Sequence, residues 1–404
     1  MVKVCMIAYS EYVSDPRIRR EAEALAARGD HVDCICLHPS MLRGIKTLNG
    51  VNIRPLCIRK YQGSNGVLYF FSYLRFFVKS SLKAAFEHIA RRYDVIQVHT
   101  MPDFIVFAAL IPRLLGARVI LDVHDLVPEL FMSKFRLRPT HPIVKALKLI
   151  EVMSVAFAHR AISVHKTHLE ALVSHGNKAR RFDIVLNTPD PAIFHYRRRE
   201  KRNSHFDVVY HGTVSKRHGL ELAIRAVEHA LPLIPDLHLS IIGDGDDILR
   251  LRQLVNDLDL CQSVRFLPLV PVDKLPEVLE FADVGIVPLT ADVFTQFMLP
   301  VKLMEYVAMG VPAIVTRTRT IAAYFDDTMV NFINGRSETE LTETLVKLYQ
   351  NPERRELLVK NARAFTEAHN WNREKQIYYR LVDSLTRQTR RRITSVKSRV
   401  RENA

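Results

Sequence analysis

Lys302 and Glu305 stand three residues apart in a segment, residues 297–315, that reads as loop, short helix, turn and buried strand. Pro300 suits a first helical position, where its missing N–H is not needed. Gly310 suits the left-handed stop after the last turn, and Pro312 prevents continuation. Lys302 then falls in the first turn, with Glu305 on the same face. The backbone N–H groups at the helix start, Leu299 to Leu303, together with the lysine make an anion seat. A carboxylate one turn deeper can accept both vicinal hydroxyls of a ribose, so the pair fits a nucleoside diphosphate. The same spacing also fits an ordinary i,i+3 ion pair on a solvated helix face.

Three further clusters carry chemistry. Residues 211–219 follow a strand and combine Gly212 and Gly219 with Thr213, Lys216, Arg217 and His218. Glycines let the backbone approach a phosphate and the cations neutralise it, with Arg217 the leading candidate; a surface turn with solvated charges has the same composition. Asp122, His124 and Asp125 end a strand-like run at 118–123, where His124 can bond a sugar hydroxyl or sit near the reacting centre, or be a satisfied structural histidine. Asp15 or Ser14 caps a helix whose first turn holds Pro16, Arg17 and Arg19. Cations are unfavourable at that end, and an anionic ligand would relieve Arg17. His99 ends another strand and can line an acceptor, or belong to a structural loop. No G-x-S-x-G elbow accompanies the histidines, and no metal-type ligand spacing is present.

The elements that position these residues alternate. Strands are expected at 3–8, 31–37, 94–99 and 118–123, with helices at 15–28 and 104–115. Further strands follow at 207–210, 237–242, 264–267, 284–287 and 313–316, with a helix at 220–230. Strands separated by helices imply parallel sheets, which bind ligands at the carboxyl ends of their strands. The chain divides into a first half at 1–190, a basic linker at 191–204, a second half at 205–365, and a crossing helix at 366–385. The basic tail at 386–404 is expected to be solvated or disordered. Residues 67–90 form an aromatic- and lysine-bearing helix that fits either the first core or an anionic membrane surface.

The chain has 404 residues, 48% hydrophobic and 25% charged, which is ordinary for a globular protein, but its net charge is +15. That excess points to an anionic partner: a phosphorylated substrate, an acidic membrane face or nucleic acid. Nucleic-acid binding would place aromatics within the basic tail, and residues 386–404 contain none. Five unpaired-looking cysteines and no secretory signal or spanning run suggest a cytoplasmic protein, peripheral at most to the inner membrane face.

The 297–315 segment closely resembles the P-x-K-x-x-E-Y-x-x-x-G-x-P signature of retaining family 4 (group 1) glycosyltransferases. That resemblance implies an α/β GT-B fold, two Rossmann-like domains facing each other across a cleft, the first for the acceptor and the second for the donor. It implies that Glu305 holds the donor ribose. Lys302, Leu299, Leu303, Gly212, Thr213 and Arg217 face the diphosphate, and Pro268 and Leu269 meet the base. His124 and Asp125 serve the reacting sugar, while Asp15, Arg17 and His99 line the acceptor side. It further implies a nucleotide-sugar donor, a carbohydrate or lipid-linked acceptor, retention, no metal and no cofactor. Thr213 and His218 stand where family members usually have arginine and lysine. Phe297 replaces a glutamate that contacts the donor sugar in many of them. Rival readings are a sugar-nucleotide epimerase, which would need an extra acid/base pair, and a non-catalytic or nucleic-acid-binding protein on the same scaffold.

Overall fold

A computed structural model describes the backbone of residues 1–38, 46–59, 61, 66–197 and 205–402, with side chains of the last helix followed to residue 386. The chain forms two compact units, Met1–Leu186 with Glu374–Ala404, and Asn187–Arg373. Of the expected linker, residues 198–204 lie outside the described residues.

The first unit contains β1 (Lys3–Ala8), α1 (Pro16–Ala27), β2 (His31–Cys36), β3 (Thr47–Leu48), β4 (Val51–Pro55), α2 (Gly66–Arg91) and β5 (Val95–His99). It continues through α3 (Leu110–Leu114), β6 (Arg118–Val123), α4 (Val127–Phe135), α5 (Pro142–Phe157), β7 (Arg160–Ser163), α6 (Lys166–Ser174) and β8 (Phe182–Ile184). Its sheet runs β3-β4-β2-β1-β5-β6-β7-β8, parallel except for the short β3. The central strands are almost wholly buried, which explains why β1 and β6 are continuous apolar runs. The single helix expected at 104–115 is instead a 3-10 segment, Asp103–Ala109, followed by the short α3.

The second unit contains β9 (Phe206–His211), α7 (Leu220–Ala230), β10 (Leu237–Ile242), α8 (Ile248–Asp257), β11 (Val264–Leu267) and α9 (Leu275–Leu279). Then come β12 (Val284–Val287), α10 (Val301–Met309), β13 (Ala313–Thr316), α11 (Arg319–Ala322), β14 (Asn331–Ile333), α12 (Glu338–Gln350) and α13 (Pro352–Ala368). All its strands are parallel, in the order β11-β10-β9-β12-β13-β14. Both sheets are therefore doubly wound, reversing between β1 and β5 and between β9 and β12, and those reversals are where such sheets receive ligands. One core packs α7, α8 and α12 on the second sheet, and another packs α9, α10 and α13 on it.

The last helix, α14 (Trp371–Glu402), continues well past the expected end at 385, so the basic tail has helical backbone. Within the first unit the Tyr378 hydroxyl donates to Gln97 Oε1 at 2.6 Å and the Tyr379 hydroxyl to the Ala24 carbonyl at 2.7 Å.

Candidate functional site

The second unit gathers its residues where its sheet reverses. The loops after β9, β10 and β11 prolong the ladder: Gly212 N–H donates to Ile242, Val214 to Asp244 and Gly243 to Leu267. This close approach requires glycine. A Cβ on Gly243 would lie 2.0 Å from the Gly212 carbonyl oxygen, and one on Gly245 would lie 1.9 Å from that of Val214. Gly219, at φ +64°, lets the 211–219 loop press on Pro288 just after β12.

Into this cradle comes α10. Pro300 is the residue before the helix rather than its first, and its carbonyl accepts the Leu303 N–H at 3.1 Å. Leu303 is therefore not a free donor, which leaves the Val301 and Lys302 N–H groups as the first-turn donors without an intrahelical acceptor. The Leu303 side chain lies in the core, with Leu299 partly buried against it. Gly310, at φ +76°, ends the helix as its position suggested.

Lys302 does not pair with Glu305. Its stem reaches solvent in part, but Nζ is buried, lies 3.7 Å from the centroid of the Tyr210 ring, and has no hydrogen-bond partner among the described residues. A Cβ on Gly212 would sit 3.4 Å from that nitrogen, so the glycine leaves room beside it. Burial pushes the amine down to about 7, against the pull of the Glu305 charge. Glu305, 9% exposed, instead accepts from His211 Nε2 at 2.6 Å. His211 Nδ1 meets the Tyr306 hydroxyl, which donates to the Val209 carbonyl. Tyr306 packs where a side chain on Gly285 would stand.

The remaining donor-side candidates are looser. The Arg217 guanidinium lies over the Phe294 ring, 5.4 Å from its centroid. Burial, then the Lys302 and Arg217 charges, push His218 down to about 3, so it stands neutral beside them. Thr213 is exposed, and its carbonyl accepts from the Tyr210 hydroxyl. Pro268 and Leu269 follow β11, Leu269 being 65% exposed. Phe297 closes a 3-10 turn, with the Arg319 guanidinium 5.8 Å from its ring centroid.

In the first unit, the carboxyl ends of β5 and β6 bring His99 and His124 onto one carboxylate. Asp122 Oδ2 accepts from His99 Nδ1 and from His124 Nε2, both at 2.8 Å, and the two rings stack 5.7 Å apart. Asp122 is fully buried, which favours protonation, but the two imidazoles outweigh that and hold it well below the usual carboxylate range. The sequence shows no metal-type spacing, yet folding places His99, Asp122 and His124 donor atoms within 4.8 Å of one another. These three could hold a metal; both rings share Asp122 Oδ2, while Asp122 Oδ1, His99 Nε2 and His124 Nδ1 are buried without a hydrogen-bond partner among the described residues.

Asp15 caps α1 and also grips Arg17 through two bonds of 3.1 Å, with Asp125 3.9 Å away. Protein carboxylates thus offset the conflict between Arg17 and the helix dipole. Sequence reading missed the layer behind. Glu21 accepts from Gln97 Nε2 at 2.6 Å, and His175 bridges Glu129 and Glu151. These are polar residues on otherwise apolar faces, a signal visible in the chain but without spacing that names partners.

A model of "Glycosyltransferase Family 4" matches residues 17–193, and one of "Glycosyl transferases group 1" matches residues 194–365. The chain belongs to the group 1, family 4 glycosyltransferases. It is 24% identical over 181 residues to the amylovoran biosynthesis glycosyltransferase AmsK of Erwinia amylovora, covering 44% of each chain. The chain spans about half the length of the curated relatives it matches. Among solved structures, the sucrose-phosphate synthase of Thermosynechococcus elongatus superposes with a TM-score of 0.74 at 17% identity, covering 95% of this chain and 100% of that one. Anabaena HepE in complex with UDP and glucose does so at 0.72 and 14%, with the same coverage. These likenesses show the fold, which is GT-B.

Proposed function

We propose that this protein transfers a sugar from a nucleotide-sugar donor to an acceptor hydroxyl, with retention, in the assembly of a surface polysaccharide or glycolipid. One observation carries the reading: a buried lysine nitrogen without a partner, beside a glycine-lined loop and the start of α10, in a family whose members are glycosyltransferases. A buried cation left unpaired is unfavourable, and a diphosphate supplies the missing charge. Lys302, Arg217 and the first-turn N–H groups of α10 stabilise the negative charge that grows on the diphosphate as the C1–O bond breaks. The new bond forms on the same face, and the acceptor proton passes to the departing phosphate oxygen. Glu305, fixed by His211, accepts from the ribose hydroxyls. His124 and Asp125 serve the sugar, and Asp15, Arg17 and His99 the acceptor side. No divalent metal is required, because Lys302 and Arg217 take its role. HepE, solved with UDP and glucose, makes UDP-sugars the first donors to try.

Thermal-shift titration with UDP-, GDP- and ADP-sugars tests this, since a ligand of the native state raises its melting temperature. One nucleotide should stabilise the wild type, and Lys302→Met and Glu305→Gln should both weaken that effect. Equal stabilisation of Lys302→Met, or of none of the proteins by any nucleotide, would overturn the proposal.

A further inference from the structure

The largest unexplained feature lies away from these residues, on the outer helices of the first unit. Strand order fixes their side. The crossovers β4-α2-β5, β5-α3-β6 and β6-α4-α5-β7 all step the same way along the sheet, so right-handed connection puts α2, α3 and α5 on one face. The 3-10 segment at Asp103–Ala109 packs against both α2 and α5, and α3 packs on α2. The layer is therefore continuous.

Its outer surface is apolar. Along α2, Phe76, Ser80, Ala84 and His88 are buried at intervals of four. On the opposite side Phe70, Leu74, Val78, Leu82, Phe86 and Ile89 form an outward stripe, 39% to 69% exposed. Leu110 and Leu114 extend it on α3, and Leu149 and Met153 lie outward on α5. Isolated exposed apolar residues are ordinary, but a contiguous patch of this kind marks an interaction surface.

Charge chooses the occupant. The four helices α2 to α5 carry eight lysines and arginines: four on α2, one each on α3 and α4, and two on α5. They carry three acids. Glu129 and Glu151 are buried against His175, and Glu87 is tied to Lys83 at 3.6 Å and to Arg91 at 2.7 Å. Lys79 stands three residues before Leu82 and Lys83 three before Phe86, so both flank the stripe. No helix among the described residues is long and apolar enough to cross a membrane. We infer that the α2–α3–α5 face of the first unit lies flat on an anionic phospholipid bilayer, with the α2 stripe in the acyl–headgroup boundary and Lys79, Lys83 and Arg75 among the headgroups. This does not rest on the proposed sugar transfer.

The test is co-sedimentation of the full chain with phosphatidylglycerol-containing vesicles and with pure phosphatidylcholine vesicles. The protein should pellet with the former and be released by salt. Leu82→Asp/Phe86→Asp should cut binding by about tenfold or more, since two inserted apolar side chains are lost. Lys79→Glu/Lys83→Glu, which reverses two half-buried cations beside the stripe and breaks the Lys83–Glu87 pair, should weaken binding to the anionic vesicles. Melting temperature monitors folding of both variants. Absence of pelleting, unchanged binding by both variants, or a concentration-dependent dimer that the apolar variant abolishes would overturn the inference. The last result would make the face an interface between copies.

Discussion

The Lys302 region of the second unit and the Asp122 region of the first solve opposite electrostatic problems. Asp122 is buried with both histidines already turned onto it, so its carboxylate has partners before any ligand arrives. Lys302 is buried with an aromatic face and a glycine beside its nitrogen and, among the described residues, no hydrogen-bond partner for it. A charge that already has protein partners holds geometry, even though Asp122 Oδ1, His99 Nε2 and His124 Nδ1 stay unbonded among the described residues, whereas an unpaired charge stores a preference for a ligand of the opposite sign. The comparison predicts that damage in the first region appears as lost stability and in the second as lost binding.

The sharpest way to break it is Asp122→Ala. Removing one member leaves two buried imidazoles facing each other, which should destabilise the first unit by about 3–5 kcal/mol, read by denaturant unfolding followed with hydrogen exchange. If Lys302→Met cost as much stability, the distinction would fail. It should instead leave the melting temperature unchanged or raised while weakening donor binding by roughly 2–3 kcal/mol, on the order of a hundredfold, measured by calorimetry. Gly243→Ala comes next. A methyl 2.0 Å from the Gly212 carbonyl oxygen, at φ +147°, must push the two loops apart. Roughly 1–3 kcal/mol of donor affinity and of second-unit stability should be lost together.

These contrasts show which part of the molecule the chain announces. The boundaries of β1, β6, α7, β10, β11, β12 and β13 follow directly from apolar runs and their turn residues. Lys302 and Glu305 are legible because three residues in a helix make a face. Their partners are not. Glu305 meets His211 from 94 positions away, and Tyr378 reaches Gln97 across 281. Such pairings depend on strand order, which local spacing does not encode. The 3-10 geometry of Asp103–Ala109 was hidden for another reason, since its apolar period fits an α-helix equally well.

pH separates the two regions without mutation. Lys302 is depressed from its usual range to about 7, so between about 7 and 10.5 the unfolded chain binds a proton that the folded one does not. The second unit should gain stability as pH rises through that window, and donor binding there should take up a proton. Calorimetry in buffers of different ionisation enthalpy reads the uptake, and Lys302→Met should abolish it. His175 behaves oppositely. Burial lowers its pKa, but the hydrogen bonds it donates to Glu129 and Glu151, and their charges, raise it to about 9 overall. Its contribution is fully present below about 6.5 and fades as pH climbs through 9, so the first unit should lose protection over a range where the second gains it.

The smallest effect, and the one that refines the donor side most, is expected from Phe297→Glu. Phe297 is half-buried at the end of a 3-10 turn, and the Arg319 guanidinium lies over its ring. A carboxylate there exchanges a cation–π contact for a partly solvated ion pair, two interactions of similar size, so stability should move by less than about 1 kcal/mol. Lys302 and Glu305 are untouched, so affinity for the bare nucleoside diphosphate should hold. What can change is the preference among sugars on the same nucleotide, because a carboxylate accepts from hydroxyls that a phenyl ring cannot engage. Comparing UDP with a panel of UDP-sugars, wild type against Phe297→Glu, separates the two contributions. A shift in the affinity for UDP itself would mean that residue 297 acts on the diphosphate and not on the sugar.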